Sequence, residues 1–160
     1  GLGDVYKRQN LHDSIRKTAG ALEGVAAKKD IHFDLELSDT EPLWVSGDKD
    51  KIQQVLHNLM DNAVKFSHEG SSILISTREK GNRVFVSVKD SGIGIPKDDL
   101  GKIFERFYKT DLSRGKDKLG TGLGLSICKE IITAHKQNLD VVSTEGVGSE
   151  FVFTLTKETE

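Results

Sequence analysis

Asn58, Asn62 and Lys65 stand at i, i+4 and i+7, so on a helix two amides and an ammonium share one stripe. An amide oxygen ligates a divalent cation without adding negative charge beside a triphosphate, and Mg²⁺ is commonly held by few protein groups plus substrate phosphates. Asn62 is the candidate metal ligand, with Asn58 supporting it; taken alone, the two amides serve equally well to cap or solvate a helix. Asp90 ends an alternating stretch and precedes Ser91-Gly92-Ile93-Gly94-Ile95-Pro96, where glycines admit close backbone approach and Pro96 biases Ile95 toward an extended conformation. A carboxylate held in that turn accepts from an exocyclic amine, which selects adenine over guanine, and Ile93 and Ile95 offer an apolar slot. In isolation the same residues read as an Asp-Gly surface turn. Gly120-Thr121-Gly122-Leu123-Gly124-Leu125-Ser126 opens a helical pattern, so free backbone N–H groups and a positive helix end face phosphate oxygens there. Its spacing fits neither the dinucleotide fingerprint, since position 125 is leucine, nor the Walker loop. Cation, base and phosphates are the parts of one ligand, ATP with Mg²⁺.

The elements that must carry these groups follow from periodicity. Leu11, Ile15, Thr18, Ala19, Leu22, Val25 and Ala26 recur at helical spacing, and Ile31, Phe33, Leu35 and Leu37 alternate as a strand with one buried face. Pro42 marks a turn, and after Leu43-Trp44-Val45 either Asp48 or Asp50 caps a helix to about Phe66. Ile73, Ile75 and Thr77 in one strand and Val84, Val86 and Val88 in another are joined at Lys80-Gly81-Asn82, which predicts an antiparallel hairpin. A brief helix over 97–103, a polar loop over 110–119, a helix from Leu123 to about Lys136, and strands 139–143 and 150–156 around Gly146-Val147-Gly148 complete the pattern. Helices and hairpin-linked strands in this order indicate an α+β fold, one sheet layered against helices.

A chain of 160 residues suits one compact domain, and no apolar run approaches the roughly 20 residues that span a bilayer. With 23 basic against 25 acidic residues there is no global charge to attract nucleic acid. Cys128 is the single cysteine, which excludes an internal disulfide and a multi-cysteine zinc site and reads as a buried, inert thiol. Residues 1–9 have no structural period and resemble a non-native tail or assembly scar, leaving 10–157 as the domain. His32, His57, His68 and His135 lack metal-ligand spacing.

In order, Asn58–Lys65, Asp90–Pro96, Ile103-Phe104-Glu105-Arg106-Phe107-Tyr108-Lys109 and Gly120–Ser126 resemble the N, G1, F and G2 boxes of the catalytic ATP-binding domain of bacterial two-component sensor histidine kinases. The likeness runs from about Asn10 onward. The wider superfamily, with DNA gyrase, Hsp90 and MutL, shares the first, second and last boxes, whereas the aromatic block is similar to the kinase branch. The resemblance implies a two-layer sandwich of the Bergerat type, with a mixed, mostly antiparallel sheet covered on one face by helices and an ATP lid over 109–119. It also implies ATP and Mg²⁺ as cofactors, with Asn62 on the metal, Asn58 among the nucleotide-binding residues, Lys65 in contact with phosphate, and Asp90 at the adenine amine. Gly92, Gly94, Ile95, Gly120, Thr121, Gly122, Leu123, Gly124 and Leu125 would shape the pocket, Tyr108 would line it, and Lys109 would reach the γ-phosphate. Lys109 and Asn62 are thus the implied catalytic residues, while Phe104 and Phe107 anchor the lid base rather than touch ligand.

The family's phosphoaccepting histidine sits on a helical hairpin. His12-Asp13-Ser14-Ile15-Arg16 has a superficial likeness to its acceptor motif but lacks the proline, so His12 reads as a surface or helix-start residue. The implied partners are a histidine-containing dimerisation domain outside this chain and, through it, a response regulator. Nucleic-acid binding and direct membrane insertion are not expected, and the isolated domain is expected to be monomeric. The location expected is cytoplasmic, with the parent's membrane anchorage open. Two other readings stand beside this one. A regulatory nucleotide module without transfer is disfavoured by Lys65 and Lys109. A gyrase- or Hsp90-type ATPase would need a glutamate in the first box, where this chain has His57, Met60 and Asp61. One departure is Lys136, which stands where most relatives have glycine.

Overall fold

The computed structural model describes residues 7–106, 108 and 124–158. Strand β1 (Lys7–Asn10) runs into helix α1 (Leu11–Ala27), followed by β2 (His32–Glu36), β3 (Trp44–Gly47) and helix α2 (Lys49–Phe66). The β4 (Ser72–Lys80) and β5 (Arg83–Lys89) hairpin, a 3-10 turn at Lys97–Asp99, helix α3 (Gly124–Ala134) and the β6 (Leu139–Thr144) and β7 (Gly148–Lys157) hairpin follow. The strands form one sheet in the order β1-β3-β7-β5-β4-β2, with β6 also paired to β7. β2 and β4 run parallel, and the other pairs are antiparallel. The expected α+β architecture with a mixed, mostly antiparallel sheet is therefore present.

Register explains the core. Ile75 faces Val88, Val86 faces Phe153 and Val84 faces Leu155, so the alternating apolar residues of three strands fall on one face of the sheet. Ile15 and Leu22 of α1, Leu56 and Leu59 of α2 and Ile132 of α3 are buried in the same cluster. α2 begins at Asp48, whose side chain accepts from the N–H groups of Asp50 and Lys51, which decides for Asp48 over Asp50 as the cap. Among the described residues no helix is long and apolar enough to cross a membrane.

Several expectations change in three dimensions. Strand β2 forms, but as an edge strand without a fully buried face: Phe33 is half-buried and Leu35 is 37% exposed, because the sheet ends there. Val25 falls outside the buried face of α1 at 47% exposure. Trp44 and Val45 open an inner strand, with Leu43 just before it, since β3 lies between β1 and β7. The brief helix over 97–103 is only one 3-10 turn followed by further turns closed by i→i+3 bonds, with Gly101 opposing helix propagation. Lys7–Gln9, set aside with the tail, pair with β3, and Gln9 Nε2 donates to the Gly47 carbonyl. His12 sits at the start of α1 but is fully buried, not at the surface, with Nε2 2.9 Å from Thr77 Oγ1.

Candidate functional site

The alternating valines of β5 stop at Lys89, and the next residue is the buried Asp90, only 8% exposed. Its N–H donates to the Ser149 carbonyl at 2.9 Å, which ties it to the start of β7. Its Oδ1 accepts from Gly92 N–H at 3.0 Å and from Ser149 N–H at 3.2 Å. Burial pushes its pKa above the ordinary carboxylate value, and the N–H groups of Ser149 and Gly92 and the nearby His68 oppose that rise. Among the described residues no hydrogen bond reaches Oδ2, so one oxygen is held by the protein and the other remains an acceptor for a ligand.

The glycine turn is wedged between two elements. Gly92 bridges to Ser67 just past α2, and Ile93 N–H donates to the Phe66 carbonyl at 3.1 Å. A Cβ on Gly92 would lie 2.1 Å from that carbonyl oxygen, so no side chain fits. On its other side Gly94, at φ +71°, would place a Cβ 2.2 Å from the Thr144 carbonyl oxygen. Gly146 N–H donates to the Ile93 carbonyl at 2.7 Å, and Ile95 N–H donates to Ser143 Oγ at 2.8 Å. The two glycines thus let backbone meet backbone on both sides of the turn.

One turn before Phe66 lies Asn62, and one turn earlier Asn58, whose Nδ2 donates at 3.5 Å to the carbonyl of Gly124, the first residue of α3. Both asparagines are half-buried. The last two turns of α2 therefore reach from the start of α3 to the glycine turn, which brings the first block, the second block and Gly124 into one region. Lys65 is exposed, with Nζ 3.2 Å from Asp61 Oδ2. Among the described residues no group of three or more His, Cys, Asp or Glu could hold a metal ion. An amide ligand completed by phosphate and water suits Mg²⁺, so the donor set fits a cation that arrives with its nucleotide.

Tyr108 is half-buried and donates to the Asp99 carboxylate. Phe104 meets Phe151 edge to face at 6.3 Å, with Lys129 Nζ 5.3 Å from its ring centroid, and is half-buried against the core. Leu125 is half-buried against the same core. Phe107, Lys109, Gly120, Thr121, Gly122, Leu123 and the lid lie outside the described residues. Ser143 and Ser149, which bond to Ile95 and Asp90, are the candidate site residues that sequence reasoning missed. Their signal was the Gly146-Val147-Gly148 turn beside Ser149, which reads as a hairpin until Asp90 is placed against it.

Residues 47–159 match the family model of the histidine kinase-, DNA gyrase B- and HSP90-like ATPases. The sensor histidine kinase WalK of Bacillus subtilis is 45% identical over 127 residues, 78% of this chain and 21% of WalK. The catalytic domain of the histidine kinase ThkA superposes with a TM-score of 0.82 at 36% identity, covering 95% of each chain. The chain therefore belongs to this ATPase family, as the catalytic ATP-binding domain of a sensor histidine kinase. It spans about a fifth of the length of the curated relatives it matches. ThkA has also been crystallised with the response regulator TrrA, and that structure matches at 33% identity with a TM-score of 0.79, over 96% of this chain and 42% of ThkA.

Proposed function

We propose that this chain positions Mg-ATP so that its γ-phosphoryl group passes to a histidine on a dimerisation domain outside the chain, with a response regulator as the onward acceptor. The observation that carries this reading is Asp90: a buried carboxylate with one oxygen held by two backbone N–H groups and the other open to accept an exocyclic amine. Asn62, supported by Asn58, would hold Mg²⁺ through its amide oxygen. When bound, the cation offsets charge on the phosphate oxygens. Lys65 lies on the same stripe of α2, where its ammonium would contact the phosphates. Lys109, outside the described residues, would stabilise charge at the γ-phosphate, and Gly120–Leu125 would offer backbone N–H groups to the phosphates.

Transfer breaks the bond between the γ-phosphorus and its bridging oxygen and forms a phosphorus–nitrogen bond to imidazole, with ADP leaving. The chain supplies positioning and charge; the nucleophile and its acid-base partner come from the acceptor domain, so the domain alone should transfer little. The working location is the cytoplasm, where ATP is found. The test is Mg-ATP affinity by calorimetry, followed by phosphohistidine formation on a separately supplied acceptor hairpin. Asp90→Ala should weaken binding by about tenfold or more, the scale of a lost charged hydrogen bond. Asn62→Ala and Lys109→Ala should reduce transfer more than adenine affinity. Unchanged nucleotide affinity in Asp90→Ala would overturn the adenine assignment.

A further inference from the structure

Ser143 lies at the centre of a closed hydrogen-bond cluster in the β6–β7 hairpin. Its Oγ accepts from Ile95 N–H at 2.8 Å, lies 3.0 Å from the Gly148 carbonyl oxygen and lies 2.7 Å from Ser149 Oγ. A hydroxyl has one proton and two lone pairs. The carbonyl can only accept, so the Ser143 proton goes to Gly148; the two lone pairs then receive Ile95 N–H and the Ser149 hydroxyl proton. Every direction in the cluster is set, and no capacity of Ser143 is left over.

The groups it joins are those that hold the carboxylate. Ile95 belongs to the turn whose Gly92 N–H binds Asp90 Oδ1. Ser149 supplies the other N–H to Oδ1 and, through its carbonyl, receives Asp90 N–H. Both serines are on neighbouring residues of the hairpin register, Ser143 facing Ser149. We infer that Ser143 is a positioning residue for adenine selection: its hydroxyl clasps the glycine turn to the start of β7 and so fixes the orientation of the Asp90 carboxylate. It touches no part of the base itself. The inference rests on Asp90 being the adenine acceptor.

Removal of the hydroxyl leaves Ile95 N–H and the Ser149 proton without their partner and frees the turn to shift against β7. The effect belongs to base recognition and not to phosphate binding. The experiment measures affinity for ATP, for inosine triphosphate, which carries a carbonyl where ATP carries its amine, and for tripolyphosphate. The proteins are wild type, Ser143→Ala, Ser143→Thr, Asp90→Asn and, as a control, Thr40→Ala, whose hydroxyl bonds Glu79 away from the cluster.

Ser143→Ala should lose about tenfold in ATP affinity and most of the preference for ATP over inosine triphosphate, with tripolyphosphate affinity unchanged. Ser143→Thr, which keeps the hydroxyl, should restore the preference, and Thr40→Ala should leave all three affinities as in wild type. If Asp90→Asn keeps the wild-type preference, the adenine assignment fails. If Asp90→Asn loses it while Ser143→Ala keeps it, the positioning role alone fails. An equal loss for all three ligands in Ser143→Ala, with a lowered melting temperature, would mean general destabilisation and would also overturn the proposal.

Discussion

Asp90 has a pH signature because it is buried. Its folded pKa is raised, so its contribution favours the fold below the unfolded Asp value and is lost as pH rises through the raised value. Urea midpoints of wild type and Asp90→Asn, compared across that window, should show wild type losing stability relative to the variant with rising pH; a constant difference would contradict the burial argument. Cys128 is the companion case. It is fully buried, with Sγ 3.9 Å from the Val55 carbonyl oxygen, and burial pushes its thiol up to about 12. Its reaction with a thiol reagent at neutral pH should be negligible in the native protein and complete in denaturant, because the thiolate is the reactive form. That this lone cysteine in an apolar helical pattern is buried was readable from sequence. The second N–H donor to Asp90 was not, because Ser149 is 59 residues away in the chain.

Elements show where local rules are obeyed and where they are strained. α3 ends with Lys136 N–H donating to the Thr133 carbonyl and Gln137 N–H to the Ile132 carbonyl, the paired bonds of a Schellman motif. Lys136 occupies the left-handed position at φ +59°, a conformation that glycine adopts without a Cβ penalty. Lys136→Gly should raise stability by about 0.5–1 kcal/mol, read as a higher melting temperature, because the left-handed conformation costs a residue with a Cβ about 1–2 kcal/mol and the greater backbone entropy of glycine offsets part of that. A lowered melting temperature would mean that the lysine side chain stabilises the turn by more than its strain. The extent of α2 and most of its buried stripe were legible, since both are local, but the choice of Asp48 as cap and the burial of Met60 and Val64 came from the structure. The segment over 97–103 was not: its charges and leucine suggest a helix, while i→i+3 bonds close it into successive turns.

At the scale of the molecule, stability should follow depth in the sheet. β5 pairs on both sides, with β4 and with β7, and carries the buried Val84, Val86 and Val88. β2 pairs on one side only; His32 N–H points at Ser71 of the neighbouring chain segment, so the backbones of Phe33 and Leu35 face outward. Amide exchange should therefore be slowest at the β5 valines and fast at Phe33 and Leu35, as measured by NMR, and uniform protection across the sheet would contradict this gradient. Strand alternation alone did not reveal it, because a central strand and an edge strand carry the same period of two. Only their neighbours tell them apart.

By itself the sequence determined the chemistry and the order of the parts: amides and ammonium on one helix stripe, a carboxylate before two glycines, a second glycine run, and periodicities that give three helices and paired strands. Those features are legible because each depends on residues within about one helix turn or one hairpin of each other. The tertiary structure decided how they meet. It set Gly92 against the carbonyl of Phe66, Gly94 against Thr144, and the Asp90 carboxylate between N–H groups from two separate segments. These contacts depend on which strands become neighbours, and that is settled by burial of the whole apolar face rather than by any short stretch of chain.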